Sequence, residues 1–298
     1  VNSVAHLFIS EYAIHLAIMI AIYLLLAQSL NVTLGLGRLF NLAHVSSYAL
    51  GAYTTALLAT KGEASFGTCL LASMVVSGLF SCLLGAIALR LSSDYFAVGT
   101  LAFSAIVTAV LVNWRSVTQG VLGIPGIPRP EFGGIDFSAN SNFLILAGAC
   151  ALVFNGVLLI LVKGPFGRIL RSAAEYEHAA LALGHNVRRT RAWAFFIASS
   201  IAGLAGALFA YYLNYIDPSS FSLTEMVFIL TIVVLGRPGS FSGVALGTVF
   251  LILLPEALRF LEISSAYLGP ARQLLYAVIL CGVVAWRRDH LFPPSRKV

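Results

Sequence analysis

Charge is what this sequence has least of. Aspartate, glutamate, lysine and arginine make up 10% of its 298 residues, against 59% apolar ones. A soluble domain carries roughly 25% charged residues, so too little polar surface is present to coat a water-soluble globule of this length. Lipid is therefore the solvent for most of the chain. The formal net charge of +6 does not indicate a nucleic-acid binder. The basic residues cluster at the ends of apolar runs, with no basic face interleaved with aromatics.

The usual signatures of chemistry are missing as well. No GxxxxGK[ST] loop is present to cradle phosphate, so the chain hydrolyses no ATP by itself. HExxH, GxSxG and an aspartate pair for a metal diphosphate are also absent, and no enzyme is expected. The four cysteines (Cys69, Cys82, Cys150 and Cys281) lie singly inside apolar runs, which suits small buried side chains and neither disulfides nor metal ligands. Asp94, Glu225, Glu256 and Arg272 fall near the ends of apolar runs. The run interiors carry uncharged polar groups and histidine, among them His15, Gln28, Asn31, His44, Ser46, Ser47, Thr100 and Ser104. Ion-coupled pumps keep titratable relays inside the membrane. With none expected in the path, uphill transport by this chain needs energy from a partner.

What is present is a succession of apolar runs, near 12–34, 41–60, 66–89, 94–113, 142–162, 192–214, 223–236, 240–258 and 269–286. A span needs about 20 such residues, and the runs at 223–236 and 240–258 are short. The first run reads as a retained span, since no Lys or Arg precedes it and no small-residue cleavage site follows. Lys and Arg set the orientation. Nine alternating spans with the C-terminus inside put Arg38, Arg90, the 163–191 loop, Arg237 and the tail at 287–298 in the cytoplasm. Lys61, Arg115, Arg129 and Arg259 are then outside. The expected fold is all-α: one transmembrane domain over residues 1–298, a bundle of about nine spans with the N-terminus outside.

Three runs carry small residues at every fourth position: Ala43, Ser47, Gly51, Thr55 and Ala59; Ser73, Ser77, Ser81 and Gly85; Ala198, Ala202, Gly206 and Ala210. That spacing puts each set on one helix face, where small side chains let helices approach closely. Two stretches read as broken helices, "VTLGLGRLFNLAHVSSYALGAYT" (32–54) and "VVLGRPGSFSGVALGTVF" (233–250). Interrupted helices in two halves of a chain often mark a translocation site. The uncharged polar residues around the first, Asn31, His44, Ser46, Ser47 and Tyr48, are the candidate solute-path residues.

Residues 163–191, "KGPFGRILRSAAEYEHAALALGHNVRRTR", form a different kind of segment. Pro165 suits a first helical turn and Gly184 a left-handed residue past a helix end. Apolar residues recur at three and four between them, predicting an amphipathic helix over 166–184 that is too short and too charged to span. It lies either on anionic lipid or in a groove of a cytoplasmic subunit.

Ala179-Ala180-x3-Gly184 resembles the EAA-x3-G coupling motif of ABC importer permeases, with His178 where that motif has glutamate. "LRLSSDYFAVGTLAF" (89–103), "GIPRP" (126–130), "PFGRILRSAAEYEHAALALG" (165–184), "AGLAGALFAYYLNYIDPSSF" (202–221) and "VVLGRPGSFSGVALG" (233–247) resemble the LivM-type permeases of branched-chain amino acid importers. Together with "NLAHVSSYALGAYT" (41–54) they cover most of residues 30–260. "NLAHVSS" and "RPGS" depart from the usual family forms. The resemblance implies a permease subunit in the bacterial inner membrane, moving branched-chain or other hydrophobic amino acids, with urea or short amides as the alternative cargo. It also implies a homologous second permease of LivH type, two cytoplasmic ATPases that hold ATP and magnesium, and an external binding protein. Glu175, His178, Ala179, Ala180 and Gly184 would then couple the chain to an ATPase. A passive channel is the alternative of a different class, needing no docking helix.

Overall fold

The computed structural model describes residues 2–62, 64–88, 93–132, 135–259 and 265–286. Arg90 and the basic tail at 287–298 lie outside the described residues. The helices are α1 (Asn2–Asn31), α2 (His44–Lys61), α3 (Phe66–Ala88), α4 (Ser93–Asn113), the short α5 (Arg115–Thr118), α6 (Asn140–Lys163), α7 (Pro165–Glu175), α8 (Glu177–Ala182), α9 (Val187–Leu213), α10 (Leu223–Leu235), α11 (Phe241–Arg259) and α12 (Ser265–Trp286). Two 3-10 turns (Gly120–Leu122 and Pro218–Phe221) and two antiparallel ladders of two residues each accompany them. β1 (Ile124–Pro125) pairs with β4 (Tyr215–Ile216), and β2 (Glu131–Phe132) with β3 (Ile135–Asp136).

Each of the nine apolar runs is a helix. Among the described residues, five are long and apolar enough to cross a membrane: Glu11–Leu36, Phe66–Ala86, Tyr95–Asn113, Asn140–Lys163 and Val187–Leu213. Leu223–Leu235, Phe241–Glu256 and Gly269–Ala285 are apolar but shorter. The ninth, α2, has 18 residues and carries His44, Ser46, Ser47, Tyr48, Tyr53 and Thr55, all buried. Its neighbours are protein, not lipid, so it does not need an apolar surface.

Helix α9 is the centre of the bundle: from Ala194 to Tyr212 it is almost wholly apolar and buried, and it packs against α1, α2 and α3. The outer helices turn apolar side chains outward instead, among them Leu71 and Leu79 on α3, Leu152 and Ile160 on α6 and Leu274 on α12. Lipid tails are as apolar as leucine, so such helices associate through close packing and hydrogen bonds. The small-residue stripes supply both. A Cβ on Gly51 would stand 2.1 Å from the Gly203 carbonyl oxygen, and one on Gly206 2.1 Å from that of Tyr48. Ser73 Oγ donates to the Gly51 carbonyl at 2.9 Å and Ser77 Oγ to that of Ser47 at 2.8 Å. Gly203→Val should therefore force α9 away from α3, because its Cβ would lie 2.5 Å from the Ser73 carbonyl oxygen. Overpacking of this kind costs about 1–3 kcal/mol. The expected result is a lower melting temperature of the purified chain, whereas Leu152→Val on the outer face should leave it unchanged.

Candidate functional site

The two broken stretches meet. Helix α1 ends at Asn31 in a π-helical turn, Val32–Leu36, followed by Gly37 and by Arg38 at φ 50°. Helix α10 ends at Leu235 and passes through Gly236, Arg237 at φ 71° and Pro238 before α11 begins. Glycines hold a helix poorly, and Pro238 disfavours helical backbone at the residue before it. Asn31 Oδ1 accepts a hydrogen bond from the Gly239 amide at 2.7 Å, and Gln28 Nε2 donates to the Phe241 carbonyl at 2.6 Å. Gly35 is the point of contact. A Cβ there would sit 2.2 Å from the Gly239 nitrogen and 2.3 Å from Asn31 Oδ1.

All five candidate path residues are buried. Asn31 forms the clamp just described. His44 Nε2 lies 3.0 Å from Ser29 Oγ and 3.2 Å from the Leu26 carbonyl oxygen, and Ser46 Oγ donates to Ser104 Oγ at 3.1 Å. Ser47 offers its carbonyl to Ser77. The Tyr48 ring packs between those of Phe209 and Phe221, at 5.4 and 5.1 Å between centroids. His44 Nδ1, Tyr48 Oη and Tyr53 Oη are buried and have no hydrogen-bond partner among the described residues. The structure thus ties Asn31, His44 and Ser46 into neighbouring helices, and leaves polar atoms of His44, Tyr48 and Tyr53 unsatisfied.

The amphipathic segment is two helices rather than one over 166–184. Helix α7 opens with Pro165 behind Gly164 and closes at Tyr176, whose extended backbone (φ −142°, ψ 81°) interrupts the ladder before α8. Gly167 lets α7 fold back on α6, since a Cβ would stand 2.0 Å from the Val162 carbonyl oxygen. Ala180 does not face outward: it is buried with Ala173 and Val187. Glu175, His178, Ala179 and Gly184 are exposed, and Gly184 adopts φ 81°, as expected of a helix terminator. Arg191 donates to Glu177 Oε2 at 3.0 Å and ties α8 to α9.

At the opposite end of α9 a second assembly gathers around Arg129. Its guanidinium donates to Asn214 Oδ1, Asn140 Oδ1 and the Ser138 and Tyr212 carbonyls, over distances of 3.1–3.3 Å. It also lies 5.2 Å from the Phe143 ring centroid. Asn214, left-handed at φ 58°, returns a bond to the Ile127 carbonyl at 2.7 Å. "GIPRP" and "NYIDPSSF", far apart in sequence, are thereby one knot. In it burial pushes the Asp217 carboxyl up, but hydrogen bonds from Ser219 and Ser220 outweigh this and hold it below the ordinary range.

Sequence reasoning missed the Tyr23–Glu225 pair, in which Tyr23 Oη donates to Glu225 Oε1 between α1 and α10. Glu225 lies in the first turn of α10, where a carboxylate suits the positive end of the helix dipole. A residue near a span end gives no sign in sequence of which helix it faces.

Residues 12–284 match the family model described as the permease component of branched-chain amino acid transport systems. The chain is 36% identical to the high-affinity branched-chain amino acid transport system permease protein LivM of Salmonella typhimurium, over 97% of this chain and 72% of that protein. It is 35% identical to LivM of Escherichia coli over the same shares. To the probable branched-chain amino acid transport permease protein LivM of Methanocaldococcus jannaschii it is 28% identical, over 80% of this chain and 70% of that one. No solved structure matches the chain significantly. A family match that runs from α1 through α12 and takes in both broken stretches, α7 and α8 leaves one conclusion: the chain belongs to the family of permease components of branched-chain amino acid transport systems.

Proposed function

We propose that the chain is the membrane-spanning subunit of an ATP-binding-cassette importer of branched-chain amino acids in the bacterial inner membrane. It spans nine times, with the α7 end in the cytoplasm and the Arg129 end outside. A homologous second permease, two ATPases carrying ATP and magnesium, and an external binding protein complete the machine. The observation that carries this reading is α8. Beside the motif residues His178 and Ala179 it presents Leu181, half exposed, and Leu183, three-quarters exposed, with Tyr176 at the break. An apolar ridge held clear of the bundle fits the groove of a partner. Glu175, His178, Ala179 and Gly184 rim that ridge, and Ala180 seats it on Ala173.

Leu181→Glu combined with Leu183→Glu should uncouple ATP hydrolysis from uptake and strip the ATPases during purification in mild detergent, with membrane levels unchanged. Retention of the ATPases and uptake at the wild-type rate would refute the docking role. Ala180→Glu is a poorer probe, because it would disturb the α7–α8 packing itself.

The solute path, in the same reading, runs beside the first broken stretch, past Asn31, His44, Ser46, Ser47 and Tyr48. A zwitterion crossing hydrocarbon needs hydrogen-bond partners, and the unsatisfied atoms of His44 and Tyr48 are available to it. Cysteine placed at 44 or 48, with the four native cysteines replaced, should react with a small aqueous thiol reagent at a rate that ATP and binding protein change. Equal protection in every state would assign these residues to static packing.

A further inference from the structure

A cavity of about 450 Å³ opens where the two broken stretches meet α7, and the transport reading gives the arginines that line it no role. Arg38 enters it from the first stretch, Arg237 from the second and Arg171 from α7, with Glu175 as the one carboxylate in its lining. Among the described residues, none of the three guanidiniums forms a hydrogen bond or an ion pair. Guanidinium groups are commonly paired where a carboxylate is at hand, and their planar fork matches phosphate oxygens. Arg38 and Arg237 share a further property. Both sit in the left-handed region, at φ 50° and 71°, which few residues without a short polar side chain adopt. Backbone strain of this order is kept where surrounding structure or function requires it.

We propose that this cavity binds the phosphate of an anionic phospholipid headgroup, and that the bound phosphate links α7 to both broken stretches. The lipid source follows from position. The cavity lies at the ends of the apolar helices α1 and α10, beside the amphipathic α7, the depth at which headgroups lie. Basic pockets between membrane helices on the cytoplasmic side favour such lipids. The assignment of this end to the cytoplasmic interface rests on the topology proposed above. The phosphate chemistry does not, since it depends on the three arginines alone.

The test uses the full chain in the assembly in which it leaves the membrane, purified in detergent and delipidated. Phosphatidylglycerol, phosphatidylcholine and inorganic phosphate are the probes, read by native mass spectrometry and by melting temperature. The wild type should retain phosphatidylglycerol and melt higher with it, and respond little to phosphatidylcholine or to inorganic phosphate. Arg38→Gln, Arg171→Gln and Arg237→Gln together should weaken that retention at least roughly tenfold, since each removes a charge-assisted bond to the phosphate. The charge-matched set Lys61→Gln, Arg115→Gln and Arg188→Gln should not. Equal loss in both sets would reduce the effect to net charge and overturn the site. Full retention by the pocket variant would overturn it too, and a response to inorganic phosphate but not to phosphatidylglycerol would overturn the lipid source. Detergent removes the distinction between leaflets, so failure here is separate from failure of the topology, which labelling of cysteines at 61 and 188 in intact cells decides.

Discussion

Gly35→Val should abolish uptake while leaving the chain in the membrane. The new Cβ would lie 2.2 Å from the Gly239 nitrogen and 2.3 Å from Asn31 Oδ1, so the bond from the Gly239 amide to Asn31 cannot survive. Parting the two stretches leaves that amide unsatisfied, at about 1–3 kcal/mol, and overpacking adds about as much. The two together displace an equilibrium between two arrangements of the stretches by roughly thirtyfold to more than ten-thousandfold. Asn31→Leu removes the acceptor without adding bulk at residue 35, and should lower uptake in the same direction by less. Uptake of labelled leucine, normalised to membrane level by immunoblot, separates lost transport from lost protein. Wild-type uptake in both variants would show that the contact between the stretches is incidental.

The purified chain reconstituted alone in lipid vesicles should move no substrate. Its sequence carries no phosphate-cradling P-loop motif, and among the described residues the carboxylate between α1 and α10, Glu225, is hydrogen-bonded to Tyr23. Accumulation should start only with the second permease, the ATPases, binding protein and ATP together. ATP-independent accumulation against a gradient by the single chain would replace the importer with an ion-coupled carrier, with Glu225 its first candidate relay. Downhill leak without partners would support the channel instead.

Much of this was legible in the sequence because it depends on composition and spacing. Ten per cent charge dictates a lipid solvent for the chain however it folds. Small residues every fourth position dictate close helix contacts, and the stripes through Gly51 and Ser77 do meet on α2 and α3; on α9 both meet Gly203, one position off the stripe through Gly206. Glycine and proline dictate breaks near 35 and 238. The same 3.6-residue periodicity joined α7 and α8 into one helix, because an amphipathic stripe continues across a break that only the backbone of Tyr176 reveals.

Only the tertiary structure decided which groups find each other. Asn31 and Gly239 stand 208 residues apart and share a hydrogen bond; Arg129 joins Asn140 to Asn214. Ala180 turned inward, although its place in the motif gave it the same outward role as Ala179, because Ala173 and Val187 close over it. Local sequence sets which face of a helix is apolar or small. What that face meets depends on how distant helices pack, and so the three arginines of one cavity, at positions 38, 171 and 237, carried no common signal along the chain.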